Sequence, residues 1–380
     1  MIKSVCIITN GYPVKDDPYY AFIRPLVCGL ADRNIKCTVI APQRLSRVMK
    51  KGRRNKKWTD YTDAGNSIEV LQPIYPTFSK LRVFRKSLST LFRDAAIKAA
   101  YKKYMTSAPD LIYAHFWDCG IVASSLGSKD IPLVVACGES KISVKEQYPV
   151  AAIERALPHV KGVISVSTDN LNESKALGLI HDTIRTVVLP NAVDTSSFKK
   201  LCKEEIRKKL GIDDKDLVAC YVGAFIPRKG VLRVIQAAKS VEKLKLILIG
   251  DGVEIENDNQ IIFKGTVPHD QVPVYLNASD MFVLPTLAEG CCNAIVEALA
   301  CGLPVISSDL PFNKDILNAG NSILIDPNDI EQITNAMNTL AENDSLRETM
   351  GLEALRSAAS LSIDHRVDQA VDFMNSLLPD

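Results

Sequence analysis

An α/β fold in two domains is what the sequence predicts, on three observations. Short apolar runs alternate with amphipathic segments from end to end, the strand pattern restarts near residue 195, and the charge changes sign there. Strand candidates in the first half are "SVCIIT", "KCTVIAP", "SIEVLQP", "DLIYAH", "PLVVAC", "GVISVS" and "IRTVVLP". In the second half they are "DLVACYVG", "KLILIG", "IIFKG", "MFVLP", "PVISS" and "SILID". Between the halves, "LPNAVDTSSF" is rich in turn formers and leads into the charged "KKLCKEEIRKKLG", which places a boundary after Asp194. Residues 1–194 hold 28 Lys+Arg against 17 Asp+Glu and residues 195–380 hold 18 against 27, so a formal net charge of +2 hides halves of +11 and −9. A length of 380 residues, 47% hydrophobic and 24% charged, is enough for two sizeable cores. Doubly wound sheets bind ligands beyond the carboxyl ends of their strands, so two such domains are expected to face each other across a cleft.

The ten cysteines form no C-x-x-C pair, and "MIKSVCIITN" runs directly into a β-like stretch, so a reducing, cytoplasmic setting is expected. No window approaches the roughly 18 consecutive apolar residues of a membrane span. Much of the positive excess lies in "RLSRVMKKGRRNKKW" and "SKLRVFRKSLSTLFRDAAIKAAYKKY". Such a patch suits an anionic membrane surface, with peripheral association at its inner face, or it is a solvated basic face. Nucleic acid is not among the expected partners.

Two stretches carry the chemistry. In "YVGAFIPRKGVLRVIQAA", Arg228 and Lys229 fall between a strand and a helix opened by Gly230. Helix-start N–H groups attract anions, and a guanidinium beside an ammonium can grip adjacent phosphate oxygens. In "PTLAEGCCNAIVEALACG", seven residues separate Glu289 from Glu297 across a strand-to-helix junction, with Gly302 closing the helix. Gly290 permits close backbone approach, and the N–H groups near Cys291, Cys292 and Asn293 can hold a phosphate. Eight helical steps rise about 12 Å, so the two carboxylates could serve opposite ends of an extended ligand such as a nucleotide sugar. The other reading is an acid favoured by the helix dipole plus an unrelated surface Glu.

Several alternatives fall away. "IGDG" places Gly250 and Gly252 like two dinucleotide-binding glycines, but Ile255 stands where the third would be, so a dehydrogenase is not expected and only a phosphate turn survives there. Neither G-x-x-x-x-G-K-[ST] nor G-x-S-x-G occurs. The five His and the unpaired Cys show no metal-ligand spacing, and Asp214 and Asp216 sit in a charged turn.

Glu289 and Glu297 within "PTLAEGCCNAIVEALACGLPVISSD" resemble the signature of the large family of retaining GT-B glycosyltransferases, family 4-like, that builds bacterial capsule, exopolysaccharide and lipopolysaccharide. The likeness extends in family order through "GYPVKDDPYYAFIRPLVCGL", "LIYAHFWDCG", "LPNAVDTSSF", "YVGAFIPRKG", "LILIGDG", "FKGTVPHDQVPVYLNASDMFVLP" and "AGNSILIDP", roughly residues 1 to 330. It implies a GT-B fold of two Rossmann-like domains: an acceptor-binding domain at 1–194, with a C-terminal helix at 364–378 packing back on it, and a nucleotide-sugar-binding domain at 195–363. It further implies that Glu297 holds the donor ribose, that Glu289, Gly290 and the backbone of Cys291, Cys292 and Asn293 face the transferred sugar and its phosphate, and that Arg228 and Lys229 neutralise the departing diphosphate. Gly223 belongs to that donor site, Thr266 and Val267 border the base, Gly11 brings backbone near the donor phosphate, and His115 reaches the donor sugar. The implied activity is retaining hexosyl transfer by front-face attack. The donor would be a nucleotide sugar, UDP-linked, the acceptor a glycan or lipid-linked sugar, and neither cofactor nor metal would be needed.

The chain departs from the family at two places. Its first loop has one glycine, Gly11, where a Gly-Gly pair is common, and "VVACGESK" stands where many members have His-Gly-x-Asp. Glu139 is the candidate for the acidic, acceptor-binding place, while Cys137 cannot supply an imidazole. A nucleotide-sugar epimerase, which needs no acceptor, and a non-catalytic relative that has lost the charged set are the competing functions.

Overall fold

The computed structural model describes residues 1–378 apart from 15, 16, 18, 53, 54, 79–81, 84 and 85. Parts of the basic stretches and of the first loop therefore lie outside the described residues. The chain divides into two compact units, Met1–Leu189 with Val367–Asp380, and Pro190–Arg366. The division falls before Pro190 rather than after Asp194 because the intervening residues bond within the second unit: the Asn191 amide donates to the Cys291 carbonyl at 2.9 Å, and the Val193 N–H to the Leu361 carbonyl at 2.9 Å.

In the first unit the strands are β1 (Ser4–Ile8), β2 (Lys36–Ile40), β3 (Gln43–Arg44), β4 (Lys57–Tyr61), β5 (Ser67–Leu71), β6 (Ile74–Tyr75), β7 (Arg82–Val83), β8 (Lys86–Ser87), β9 (Leu111–His115), β10 (Leu133–Cys137), β11 (Val160–Ser165) and β12 (Arg185–Val188). Among the described residues its main sheet runs β12-β11-β10-β9-β1-β2-β5-β4, parallel except for β4 against β5. The inner strands read as continuous β-branched and apolar runs because helices cover both faces of a parallel sheet; "LVVAC" of β10 is buried throughout. The antiparallel edge β4, "KWTDY", alternates exposed and half-buried residues instead.

The final helix, Ile363–Asn375, buries Val367, Ala370 and Met374. Within the first unit Gly29 leaves room for Val367 and Gly162 for Phe373 and Leu377, while the Asn375 amide oxygen accepts from the Ile2 N–H at 2.8 Å.

The second unit contains β13 (Leu217–Val222), β14 (Leu244–Ile249), β15 (Ile261–Gly265), β16 (Met281–Leu284), β17 (Val305–Ser308) and β18 (Ser322–Ile325), all parallel, in the order β15-β14-β13-β16-β17-β18. The order reverses at β13 and β16, the switch point of a doubly wound sheet, where the loops leaving adjacent strands diverge and leave space at the carboxyl edge. Arg207 anchors the opposite edge. Its buried guanidinium bonds Asp280 at 2.7 Å and takes the backbone carbonyls of Asp213, Asp214 and Asp216. The charged turn containing Asp214 and Asp216 is thus wrapped round an arginine, and among the described residues no group of acidic, His or Cys side chains is placed to hold a metal ion.

Candidate active site

The switch point of the second unit assembles Gly223, Arg228, Lys229 and Glu289. The loop after β13 carries both cations and turns into the helix Val231–Ala238 at Gly230, whose left-handed φ of 81° suits glycine and whose missing Cβ leaves room for the Pro285 carbonyl. The loop after β16 runs alongside it, and the Leu287 N–H donates to the Arg228 carbonyl at 2.9 Å. Glu289 Oε1 accepts from Lys229 Nζ at 2.5 Å, from Thr286 Oγ1 at 2.7 Å and from Arg228 Nη1 at 3.3 Å. Arg228 Nη1 also donates to the Ala288 carbonyl. Lys229 and Glu289 are largely buried, whereas Arg228 keeps more than a third of its side chain exposed. The carboxylate therefore pairs with both cations rather than standing apart from them, and one positive charge is left over.

Past Gly290, the buried Cys291 and Cys292 lead into the helix Asn293–Ala300. Burial raises the pKa of the Cys291 thiol to about 12 and that of Cys292 to about 11. Both remain protonated at neutral pH, which leaves them as small packing groups. The Asn191 side chain spans this corner, donating to the Cys291 carbonyl and, at 2.7 Å, to Asn293 Oδ1.

Glu297, one turn into the helix, hydrogen-bonds His269 Nε2 through Oε1 at 3.0 Å. That bond, outweighing desolvation, raises the imidazole's pKa above its ordinary 6.5. The exposed Thr266 and half-buried Val267 lead from β15 towards His269. The Gly250 and Gly252 of "IGDG" are required by backbone crossing: a Cβ would lie 2.0 Å from the Gly223 carbonyl oxygen at one and 2.4 Å from that of Phe225 at the other. They set the path of the β13 loop.

In the first unit, His115 ends β9 and its ring lies 4.3 Å from that of Phe116 and 5.3 Å from that of Phe22, centroid to centroid. Phe116 has φ 80° and ψ 155°, a conformation that costs a side-chain-bearing residue about 1–3 kcal/mol and recurs at functional sites. Glu139 follows the neighbouring β10; its carboxylate accepts from the Gly138 N–H at 3.0 Å and from the Trp117 N–H at 3.4 Å, and burial raises its pKa to about 7. Gly11 is buried, and a Cβ there would lie 2.6 Å from the Tyr19 ring, so aromatic packing requires the glycine. Beside it, Asn10 joins a buried network: its amide donates to Asp118 at 2.9 Å, while Arg93 bonds Asn10, Asp94, Asp118 and Tyr148. A cavity of about 500 Å³ lies at the opposite sheet edge, by the starts of β9 and β10, lined in part by Asp94, Lys98, Ile112, Leu133 and Arg155. It is remote from His115 and Glu139, which stand at the strands' other ends.

The fold matches known structures along its whole length. A sucrose-phosphate synthase from Thermosynechococcus elongatus superposes with a TM-score of 0.78 at 16% identity, covering 99% of each chain. Anabaena HepE in complex with UDP superposes at 0.71 with 19% identity, covering 99% of this chain and 100% of that one. Residues 202–356 match the family described as Glycosyl transferases group 1. TuaC of Bacillus subtilis, a protein named for teichuronic acid biosynthesis as a glycosyltransferase, is 30% identical over 348 residues, 87% of each chain. The chain belongs to the GT-B glycosyltransferases of the bacterial family 4-like group.

The glycosyltransferase thus holds, within its second unit, Gly223, Arg228, Lys229, Glu289, Gly290, Cys291, Cys292 and Asn293 on two adjoining loops, with Glu297, Thr266 and Val267 around His269. Gly11, His115 and Glu139 stand at the carboxyl edge of the first unit's sheet. Sequence reasoning missed Thr286 and Arg233. Arg233 straps the two loops by donating to the Pro227 carbonyl at 2.9 Å and the Pro285 carbonyl at 2.7 Å. Its only signal was its place one turn beyond Lys229, on a helix face that reads as solvent-facing.

Because Glu139 binds its proton more tightly in the fold than at its ordinary pKa of 4.5, the folded state loses stability as pH rises from about 4.5 to about 7. The melting temperature of Glu139→Gln relative to the wild type is therefore expected to rise between pH 5 and pH 8. A difference that stays constant would contradict the assignment.

Proposed function

We propose that this glycosyltransferase moves a hexosyl unit, with retention, from a UDP-linked sugar to a glycan or lipid-linked acceptor in cell-surface polysaccharide assembly. The observation that carries the reading is the convergence of Arg228 and Lys229 on Glu289 at the switch point of the second sheet. A sugar diphosphate entering there would take over these cations and the N–H groups at the start of the Asn293–Ala300 helix. TuaC's name supports the polysaccharide setting, and the UDP in the HepE structure supports the donor.

In this reading the bond from the anomeric carbon to the diphosphate breaks, its electron pair staying on the diphosphate. The acceptor oxygen bonds the same face of the sugar, and its proton passes to the leaving phosphate. Arg228 and Lys229 stabilise the charge that develops, which makes a metal unnecessary, and removing one such fixed donor typically costs about 10²–10³ in kcat. Glu297 receives the ribose, His115 the donor sugar and Glu139 an acceptor hydroxyl. The protein acts on the cytoplasmic side of the cell membrane. No described helix is long and apolar enough to cross a membrane. Docking would instead use the basic first-unit face, where Leu45, Met49, Phe78, Leu91 and Phe92 are exposed among the cations and Phe78 stacks on Phe92 at 5.6 Å.

The test is a thermal-shift and hydrolysis screen against UDP-, GDP- and ADP-sugars in EDTA and then with Mg²⁺. One UDP-sugar should stabilise the wild type without metal and fail to stabilise Arg228→Ala or Glu297→Ala; no response to any donor, with or without acceptor membranes, would contradict the reading. For the membrane face, sedimentation with vesicles containing anionic lipid should exceed that with neutral vesicles and fall for Met49→Asp combined with Phe92→Asp. Equal sedimentation with both lipids would remove it.

A further inference from the structure

The second unit pairs its ribose-facing candidate with a residue that the motif does not contain. Glu297 is about one-eighth exposed, while His269, on the loop that follows Thr266 and Val267, is about three-quarters exposed. The His269 bond to Oε1 is the only hydrogen bond the Glu297 carboxylate makes among the described residues, and Oε2 accepts none. His269 is itself held: Pro268 precedes it with φ −55°, the 3-10 helix His269–Gln271 begins at it, and the ring of Phe198, 3% exposed, lies 5.2 Å from the imidazole. The imidazole is thereby positioned between a buried aromatic ring and the carboxylate.

An ion pair as exposed as this adds little to stability, so its consequence lies in geometry. Glu has three side-chain torsions, and a carboxylate near a helix start is free to swing between solvent and its own backbone unless a partner fixes it. A carboxylate pinned by one oxygen keeps the other available as an acceptor in one place. Hydroxyl discrimination depends on such fixed acceptors, because a buried acceptor left without its donor is what penalises the analogue lacking the hydroxyl. Asp270 is the other acid whose charge reaches the imidazole, and Cys301, also on the helix side, is the further titratable group that feels Glu297.

We propose that His269 is a donor-positioning residue: by holding Glu297 Oε1 it presents Oε2 to the ribose hydroxyls, and so sets the preference for ribonucleotide over deoxyribonucleotide donors. The inference rests on the donor-site reading above. It assigns to this chain's loop a share of the nucleoside selectivity that Glu297 would otherwise carry alone.

The experiment is calorimetric titration of the wild type, His269→Ala, His269→Gln and Glu297→Ala with UDP, 2′-deoxy-UDP and 3′-deoxy-UDP. The wild type should prefer UDP over at least one deoxy form by about tenfold or more, the scale of a hydrogen bond to a charged group. His269→Ala should lose most of that preference by weakening UDP, with deoxy affinity kept within about twofold, and His269→Gln, whose amide nitrogen matches the reach of Nε2 and can still donate to Oε1, should keep part of it. If Glu297→Ala abolishes the preference while His269→Ala retains it, or if His269→Ala weakens UDP and both deoxy forms alike, the role of His269 is overturned and the donor site stands. If Glu297→Ala binds all three ligands as the wild type does, or the wild type binds none of them, the donor-site reading fails and the inference with it.

Discussion

Two cations and a hydroxyl converge on one carboxylate, and the local order of the second unit depends on that convergence. Glu289 is largely buried, and a charged side chain withdrawn from water needs ionic and hydrogen-bonding partners. Lys229, Arg228 and Thr286 supply its partners, and these come from the loops after β13 and β16. The same contact therefore balances charge and joins two loops that a doubly wound sheet would otherwise let splay apart. Between the partners, Lys229 is the buried one and Arg228 the half-open one, so the arginine retains donors with which to meet a second anion.

The surroundings make this arrangement inexpensive to hold. Gly230 lets the first loop pass the Pro285 carbonyl, Gly250 and Gly252 let the end of β14 lie against Gly223 and Phe225, and Arg233 satisfies the carbonyls of Pro227 and Pro285. On the far side Ser307 and Ser308 donate to the Leu284 and Thr286 carbonyls, and Asn313 in turn donates to Ser307 Oγ and the Ser308 carbonyl. An anion entering beside the charged triad would meet loops already held by these hydrogen bonds. Catalysis by fixed charges needs that rigidity, because a site that must reorganise around its ligand loses part of the electrostatic gain.

Much of the fold was legible in the sequence, since buried parallel strands are apolar runs and each run quoted from the sequence contains a strand. The edge strand β4 was not, because "KWTDY" has no apolar run and reads as part of a basic loop; it exists through pairing with β5, a long-range contact that composition does not encode. At the site, the loop positions of Arg228 and Lys229 followed from the strand-to-helix order around Gly230. Their shared bond to Glu289 did not, because residues 61 and 60 positions apart meet only through the sheet topology. The glycines of "IGDG" resembled a phosphate turn, yet backbone crossing accounts for them. Asp214 and Asp216 resembled a metal motif, and their carbonyls wrap Arg207 instead. At Gly250 and Gly252 the pattern marked an unusual backbone and was silent about what that backbone meets.

The first unit holds its charge differently: Arg93 sits among Asp94, Asp118, Tyr148 and Asn10, tying the loop after β1 to the helix that follows His115. The second unit carries the central claim, for it is there that Arg228 and Lys229 meet Glu289. The most direct measurement is the ³¹P NMR spectrum of UDP titrated with protein in EDTA, for the wild type and for Lys229→Met. The account predicts that the β-phosphorus resonance of UDP shifts on binding the wild type without metal, and that the shift is lost in the variant. A β-phosphorus resonance that moves only after Mg²⁺ is added, or that moves equally with both proteins, would contradict it.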